Sequence, residues 1–211
     1  MNRNIYMTAL FDLGQDFMAY QECYDMSRNS VFKFLDFDEH LLLSGKADDA
    51  FHMLAQTYYG IMNEVKRGNN VFFMEIDCIV VKPIQMFHFD KMELFSRTSP
   101  PSFKYRHLRF DPYMNSGVKY FPATLPRELI SKADEMILDY DDTFWGYDQV
   151  VYNWVYYQQH ETAKLRTHLN FMPFSDVITG MDEKDASIIH LCSSRGAKEC
   201  RDKMAKYYAV L

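Results

Sequence analysis

The stretch Val71-Phe72-Phe73-Met74-Glu75-Ile76-Asp77-Cys78-Ile79-Val80-Val81 constrains this chain more than any other. Four apolar residues run from Val71 to Met74 with no polar interruption. A strand that is apolar on both faces needs cover on both faces, as a central strand of an α/β sheet has. Two carboxylates follow at i and i+2. Acids at the end of a buried strand repel one another and lose hydration unless something positive lies between them. A divalent cation is the natural partner. Carboxylate oxygens suit Mg2+ or Mn2+, and such ions commonly complete their shell with substrate phosphates. A solvated acidic pair is the plainer alternative for Glu75 and Asp77.

The rest of the chain alternates between strand-like and helix-like segments. Ile5 to Leu10 reads as a first strand, closed by Asp12 and Gly14. Asp16 to Asn29 reads as a helix with Phe17, Tyr20 and Tyr24 on one face. His40 to Leu43 is a short strand ended by Gly45. Asp48 or Asp49 caps a helix to about Lys66, which Gly68 stops. Ile79 to Val81, Glu93 to Ser96, Val118 to Phe121 and Ser187 to Leu191 read as strands, and Thr98 to Pro112 as a loop. Pro126 to Tyr140, Tyr147 to Gln158 and Lys198 to Ala209 read as helices. This order predicts an α/β layer fold with ligands at the carboxyl ends of the strands.

The 211 residues, 48% hydrophobic and 25% charged, fit one globular domain spanning 1–211. A net charge of -6 argues against nucleic acid as a partner, but not against a nucleotide held through a metal. No apolar run has the length of a membrane span, and Asp12 arrives too early for a signal peptide. Cys23, Cys78, Cys192 and Cys200 lack metal-ligand spacing and read as reduced thiols of a cytosolic protein.

Four further segments carry a resemblance. They are Met7-Thr8-Ala9-Leu10-Phe11-Asp12-Leu13-Gly14, Tyr113-Met114-Asn115-Ser116-Gly117-Val118, Gly146-Tyr147-Asp148-Gln149-Val150-Val151-Tyr152-Asn153, and Ile188-Ile189-His190 followed by Gly196 and Lys198. With Glu75-Ile76-Asp77 standing for a D-x-D motif, they resemble, in order, the segments of GT-A-fold glycosyltransferases. The likeness is to glycosyltransferase family 8 and to related small bacterial and viral sugar transferases. It implies a GT-A, Rossmann-like fold, with a central, mostly parallel sheet flanked by helices. It also implies transfer of a hexosyl or deoxyhexosyl group from a nucleoside diphosphate sugar, UDP-sugar favoured, to a hydroxyl of a glycan or glycoprotein. Mn2+ or Mg2+ would be the cofactor and the anomeric configuration would be retained. The expected location is the cytoplasm, or the host cytoplasm for a viral enzyme.

The resemblance assigns roles residue by residue. Glu75 and Asp77 would hold the metal and the ribose-diphosphate, with Ile76 between them, and His190 would be the third protein ligand. Arg195 and Lys198 would neutralise the diphosphate. Asn115 and Gly117 would line the sugar pocket, although Asn-Ser-Gly also makes an ordinary turn. Asp148 would meet the sugar hydroxyls and Gln149 would lie near the anomeric carbon, although Asp148 also suits a helix cap. Thr8, Ala9 and Phe11 would sit near base and ribose. The loop from Phe103 to Tyr113 and Trp145 are candidates for the acceptor cleft.

Two departures stand out. The first acid is Glu75 rather than Asp, and where relatives often carry Lys or Arg in the preceding helix, this chain offers His52. Two other functions share parts of the pattern: a metal-dependent nucleotidyltransferase and a non-catalytic sugar-nucleotide or glycan-binding domain. The first should carry a Gly-rich, basic loop at the N-terminus, and Met7 to Gly14 has one Gly and no base.

Overall fold

A computed structural model describes residues 2–12, 16–47, 50–84, 90–98, 110, 113–138, 147–160, 170–171, 183–191 and 196–211. Eight strands and five helices lie among them. They are β1 (Asn4–Asp12), α1 (Phe17–Phe34), β2 (Glu39–Lys46), α2 (Ala50–Lys66), β3 (Asn70–Met74), β4 (Cys78–Val80), β5 (Glu93–Thr98), β6 (Tyr113–Phe121), α3 (Arg127–Leu138), α4 (Tyr147–Gln159), β7 (Asn170–Phe171), β8 (Ile188–His190) and α5 (Ala197–Tyr208). The five-stranded sheet has the order β2-β1-β3-β6-β5, and a smaller sheet the order β4-β8-β7. β1 runs parallel to both β2 and β3; β6 returns antiparallel to β3, and β5 antiparallel to β6.

The helices divide between the two faces. Tyr6 and Phe72 point toward α1, in a cluster with Val31 and Leu35, while Met7 and Phe73 point the other way, toward Leu54, Tyr58 and Ile61 of α2. That alternation is the period of two expected of strands buried on both sides. Right-handed crossovers explain the division. The chain moves one way from β1 to β2 and then back past β1 to β3, so successive helices fall on opposite faces. The reversal leaves a crevice beyond the carboxyl ends of β1 and β3. α3 and α4 join α2 on its side, and α5 packs beside α1.

Several elements are longer than their local signals. β2 runs through Gly45 because β1 pairs with it along its whole length, from Ile5↔Glu39 to Asp12↔Lys46. α1 continues to Phe34 because Val31 and Leu35 enter the core. β6 begins at Tyr113, so Asn115-Ser116-Gly117 lies within a strand instead of forming a turn, with β5 paired at Asn115 and Lys119 and an irregular register between them. β7 and a 3-10 turn at Glu183–Asp185 have no clear local signal. The predicted helix caps Asp48 and Asp49, and Cys192, lie outside the described residues.

Candidate functional site

The acidic segment is the joint between the two sheets. β3 ends at Met74, the chain turns at Glu75-Ile76-Asp77 with Cys78 N donating to Glu75 O (3.2 Å), and β4 starts the second sheet. Glu75 N also donates to Gly117 O (2.8 Å), which ties the turn to β6. Pairing of β4 with β8 sets His190 opposite Cys78, and Leu191 N donates to Asp77 O (2.9 Å). Thus a strand from the far end of the chain brings an imidazole beside the two acids. His190 Nε2 lies 3.3 Å from Glu75 Oε2 and 3.3 Å from Asp77 Oδ1.

This donor set passes a test for a divalent cation. His190 is fully buried, and neither ring nitrogen has a satisfying hydrogen bond despite the adjacent carboxylates. Buried polar atoms without partners are uncommon and call for a ligand or ion. Two carboxylates and an imidazole converge on one point, and both carboxylates keep an exposed side. The two carboxylates suit Mn2+ or Mg2+, and the imidazole beside them favours Mn2+ over the harder Mg2+ and Ca2+. Asp77, Cys78 and His190 also offer ligand atoms within 4.8 Å of one another. Cys78 Sγ donates to Asp77 Oδ1 (3.8 Å), and burial pushes its thiol up, so it favours the protonated form. Burial opposes a charge on His190, but the adjacent Asp77 carboxylate favours one and holds the imidazole well above its usual range.

Gly117 is required here by space. A Cβ at this position would lie 2.2 Å from His190 Cε1 and 2.7 Å from Glu75 Oε2. The structure therefore places Gly117 behind the acid–histidine cluster. Asn115 Oδ1 accepts from Gly117 N (2.8 Å), which holds that backbone in place.

A cavity of about 300 Å³ opens at the carboxyl ends of β1 and β3. Its walls include Ala9 and Phe11 from β1, the turn Glu75-Ile76-Asp77, Asp148 from α4 and Gly196 before α5. Asp148 is the second residue of α4, so it is not that helix's cap. Burial raises its carboxyl to about 6, with Lys119 pulling the other way and Glu75 adding to the rise. Gln149 Oε1 accepts from Ser116 N (3.0 Å), and Asn153 bonds both backbone groups of Met114 (2.8 and 2.7 Å); α4 is thereby clipped to β6.

Other expected residues sit elsewhere. Thr8 is fully buried and turned with Tyr6 toward Ser27 of α1. Gln149, Asn115, Gly117 and His190 stand behind the wall, through the contacts above. Lys198 is exposed and paired with Asp16 Oδ1 (3.3 Å), ahead of α1. Arg195, Trp145 and residues 103–109 lie outside the described residues, whereas Phe110 and Tyr113 stack beside α4. His52 contacts Gln56 Nε2 (2.5 Å), and α2 faces the cavity with Met53, Leu54 and Thr57. Tyr20 and Lys119 complete the wall. Lys119 had a signal in the sequence, since it interrupts an otherwise apolar strand.

No protein-family profile and no curated protein sequence matches the chain. Solved structures do. A glycosyltransferase involved in glycosylation of the major capsid of PBCV-1 aligns with TM-score 0.64 at 14% identity, over 96% of this chain and 98% of that one. The bifunctional glycosyltransferase WbbM aligns with TM-score 0.64 at 12% identity, over 99% of this chain and 50% of its own. The galactosyltransferase LgtC, in complex with donor and acceptor sugar analogues, aligns with TM-score 0.57 at 14% identity, over 98% of this chain and 96% of that one. At such identities the likeness speaks to architecture: this chain has the GT-A glycosyltransferase fold that its motifs imply.

Proposed function

We propose that this chain is a metal-dependent glycosyltransferase, built as one domain over 1–211 and working in the cytoplasm. It moves a hexosyl or deoxyhexosyl group from a nucleoside diphosphate sugar, UDP-sugar favoured, to a hydroxyl of a glycan or glycoprotein. The observation that carries the reading is the convergence of Glu75 and Asp77, on the wall of a cavity at the carboxyl ends of β1 and β3, with His190 buried directly behind them. No helix among the described residues is long and apolar enough to cross a membrane.

In this reading Glu75, Asp77 and His190 hold Mn2+ or Mg2+, which supplies positive charge to the departing diphosphate. Ala9 and Phe11 line the nucleoside end, while Arg195 adds positive charge near the phosphates, joined by Lys198 when it leaves Asp16. Asp148 orders the sugar hydroxyls, Gln149 and Asn115 hold β6 and α4 at the sugar end, and Thr8 keeps β1 seated on α1. The acceptor oxygen bonds to the anomeric carbon as the bond from that carbon to the phosphate oxygen breaks. The acceptor proton passes to the phosphate, and attack on the leaving-group face retains configuration. The protein's contribution is positioning and fixed charge.

A screen of sugar nucleotides for Mn2+-dependent hydrolysis tests this reading. At least one should be cleaved to its nucleoside diphosphate, and Asp77→Ala should abolish the cleavage. Activity retained in Asp77→Ala would place the chemistry elsewhere. A nucleoside triphosphate cleaved in preference would favour the nucleotidyltransferase, and binding without turnover the sugar-nucleotide-binding domain.

A further inference from the structure

Lys119 is the one cation among the described residues that line the cavity. Its side chain is 1% exposed, on a strand whose neighbours Val118, Tyr120 and Phe121 are all buried and apolar. The ammonium lies over the rings of Phe73 (4.1 Å) and Tyr152 (4.3 Å), and Nζ donates to Ser116 O (2.7 Å). An ammonium carries three N–H donors, and Ser116 O is its one hydrogen-bond acceptor among the described residues. Burying a charge with so few partners is costly, and a methionine could fill the space between the rings without that cost. No acceptor among the described residues takes the other two donors.

We infer that Lys119 is a specificity-determining residue that, with Asp148, recognises the hydroxyls of an uncharged hexose carried by the donor nucleotide. This rests on the glycosyltransferase reading above. The two side chains supply complementary chemistry on one wall: Lys119 donates to a sugar oxygen and Asp148 accepts from a neighbouring hydroxyl. Asp148 and Glu75 are also the carboxylates whose charges act on Lys119. A sugar carboxylate would meet both acids, so a uronic acid suits the site less well than a neutral ring. α2 faces the cavity with Met53, Leu54 and Thr57, which leaves the cationic contact to β6.

Calorimetric titration of wild type and Lys119→Met tests the inference. The probes are UDP, GDP, UDP-glucose, UDP-galactose, GDP-mannose and UDP-glucuronate, each with Mn2+. Wild type should bind one hexose nucleotide at least about tenfold tighter than its parent diphosphate, because a site built for hydroxyls discriminates strongly. Lys119→Met should bind the diphosphate within about twofold of wild type and lose most of the preference for the sugar. An unchanged preference in Lys119→Met, or a wild-type preference for UDP-glucuronate, would overturn the inference while leaving the transferase reading intact. Failure of wild type to bind UDP or GDP with Mn2+ would overturn both. Should Lys119→Met not fold, monodeoxy analogues of the preferred hexose nucleotide provide the test on wild type. Removal of one hydroxyl should cost about tenfold or more; if no single deletion costs more than about threefold, Lys119 reads no hydroxyl.

Discussion

At the scale of single residues, charge and space around the acidic turn give two sharp expectations. Asp148 has an ordinary carboxyl value of 3.8, raised to about 6 in the folded protein, first by burial. The folded state therefore binds the proton more tightly than the unfolded chain. The stabilising contribution is present in full below about pH 4 and disappears as pH rises through about 6. Asp148→Asn lacks this dependence. Its stability relative to wild type should improve by about 3 kcal/mol between pH 3.5 and pH 7, at roughly 1.4 kcal/mol per tenfold change in proton affinity. Urea titrations at both pH values, with EDTA present to exclude any metal ion, would measure it. A difference that does not move with pH would mean that Asp148 is hydrated. Gly117→Ala should lose Mn2+-dependent nucleotide binding and cost about 1–3 kcal/mol, because its Cβ must push His190 or Glu75 aside. Gly68→Ala is the control. Its φ of +86° makes alanine strained by about 1 kcal/mol, yet no atom lies within 4 Å of the added carbon and metal dependence should survive.

At the scale of elements, the junction of α4 with β6 determines whether the sugar end of the cavity keeps its shape. Asn153 is fully buried; its Oδ1 accepts from Met114 N, and its Nδ2 donates to Met114 O and Gln149 O. Asn153→Ala leaves the Met114 groups without these partners inside the core, at a cost of about 2–4 kcal/mol. The urea midpoint should fall at unchanged slope, and hydrogen exchange at Met114 and Ser116 should quicken. Unchanged exchange there would show that α4 is held by apolar packing alone. The elements also show what local pattern can and cannot predict. α2, whose Leu54, Tyr58 and Met62 recur at helical spacing and which ends just before Gly68, was legible. β2 and the first half of β6 were not, because their length comes from partner strands distant in sequence. Gly45 and the Asn115-Ser116-Gly117 run look like breaks until β1 pairs across the first and β5 pairs at Asn115 and Lys119 on either side of the second.

At the scale of the whole molecule, ligand binding should couple to global stability, since the candidate site draws on β1, β3, β6, β8, α4 and the joint between the two sheets. Saturation with Mn2+ and the preferred nucleoside diphosphate, at about a hundred times its Kd, should stabilise the fold by about 2.7 kcal/mol. For a chain of 211 residues that is a rise in Tm of roughly 5–10 °C. EDTA and Asp77→Ala should each remove it. A nucleotide-induced rise that persists in EDTA would show that the acids serve no cation.

The sequence alone carried the α/β layering, the buried run Val71–Met74 and the acids after it, because these are written in neighbouring residues and in the periods of helix and strand. Motifs in order were enough to imply the GT-A architecture and to nominate Glu75, Asp77, His190 and Asp148. Folding alone revealed that Gly117 makes room for His190, that Lys198 turns to Asp16, and that Lys119 stands at the cavity wall. Each of these depends on strands brought together from distant parts of the chain, and no local period encodes which side chain such pairing sets against another.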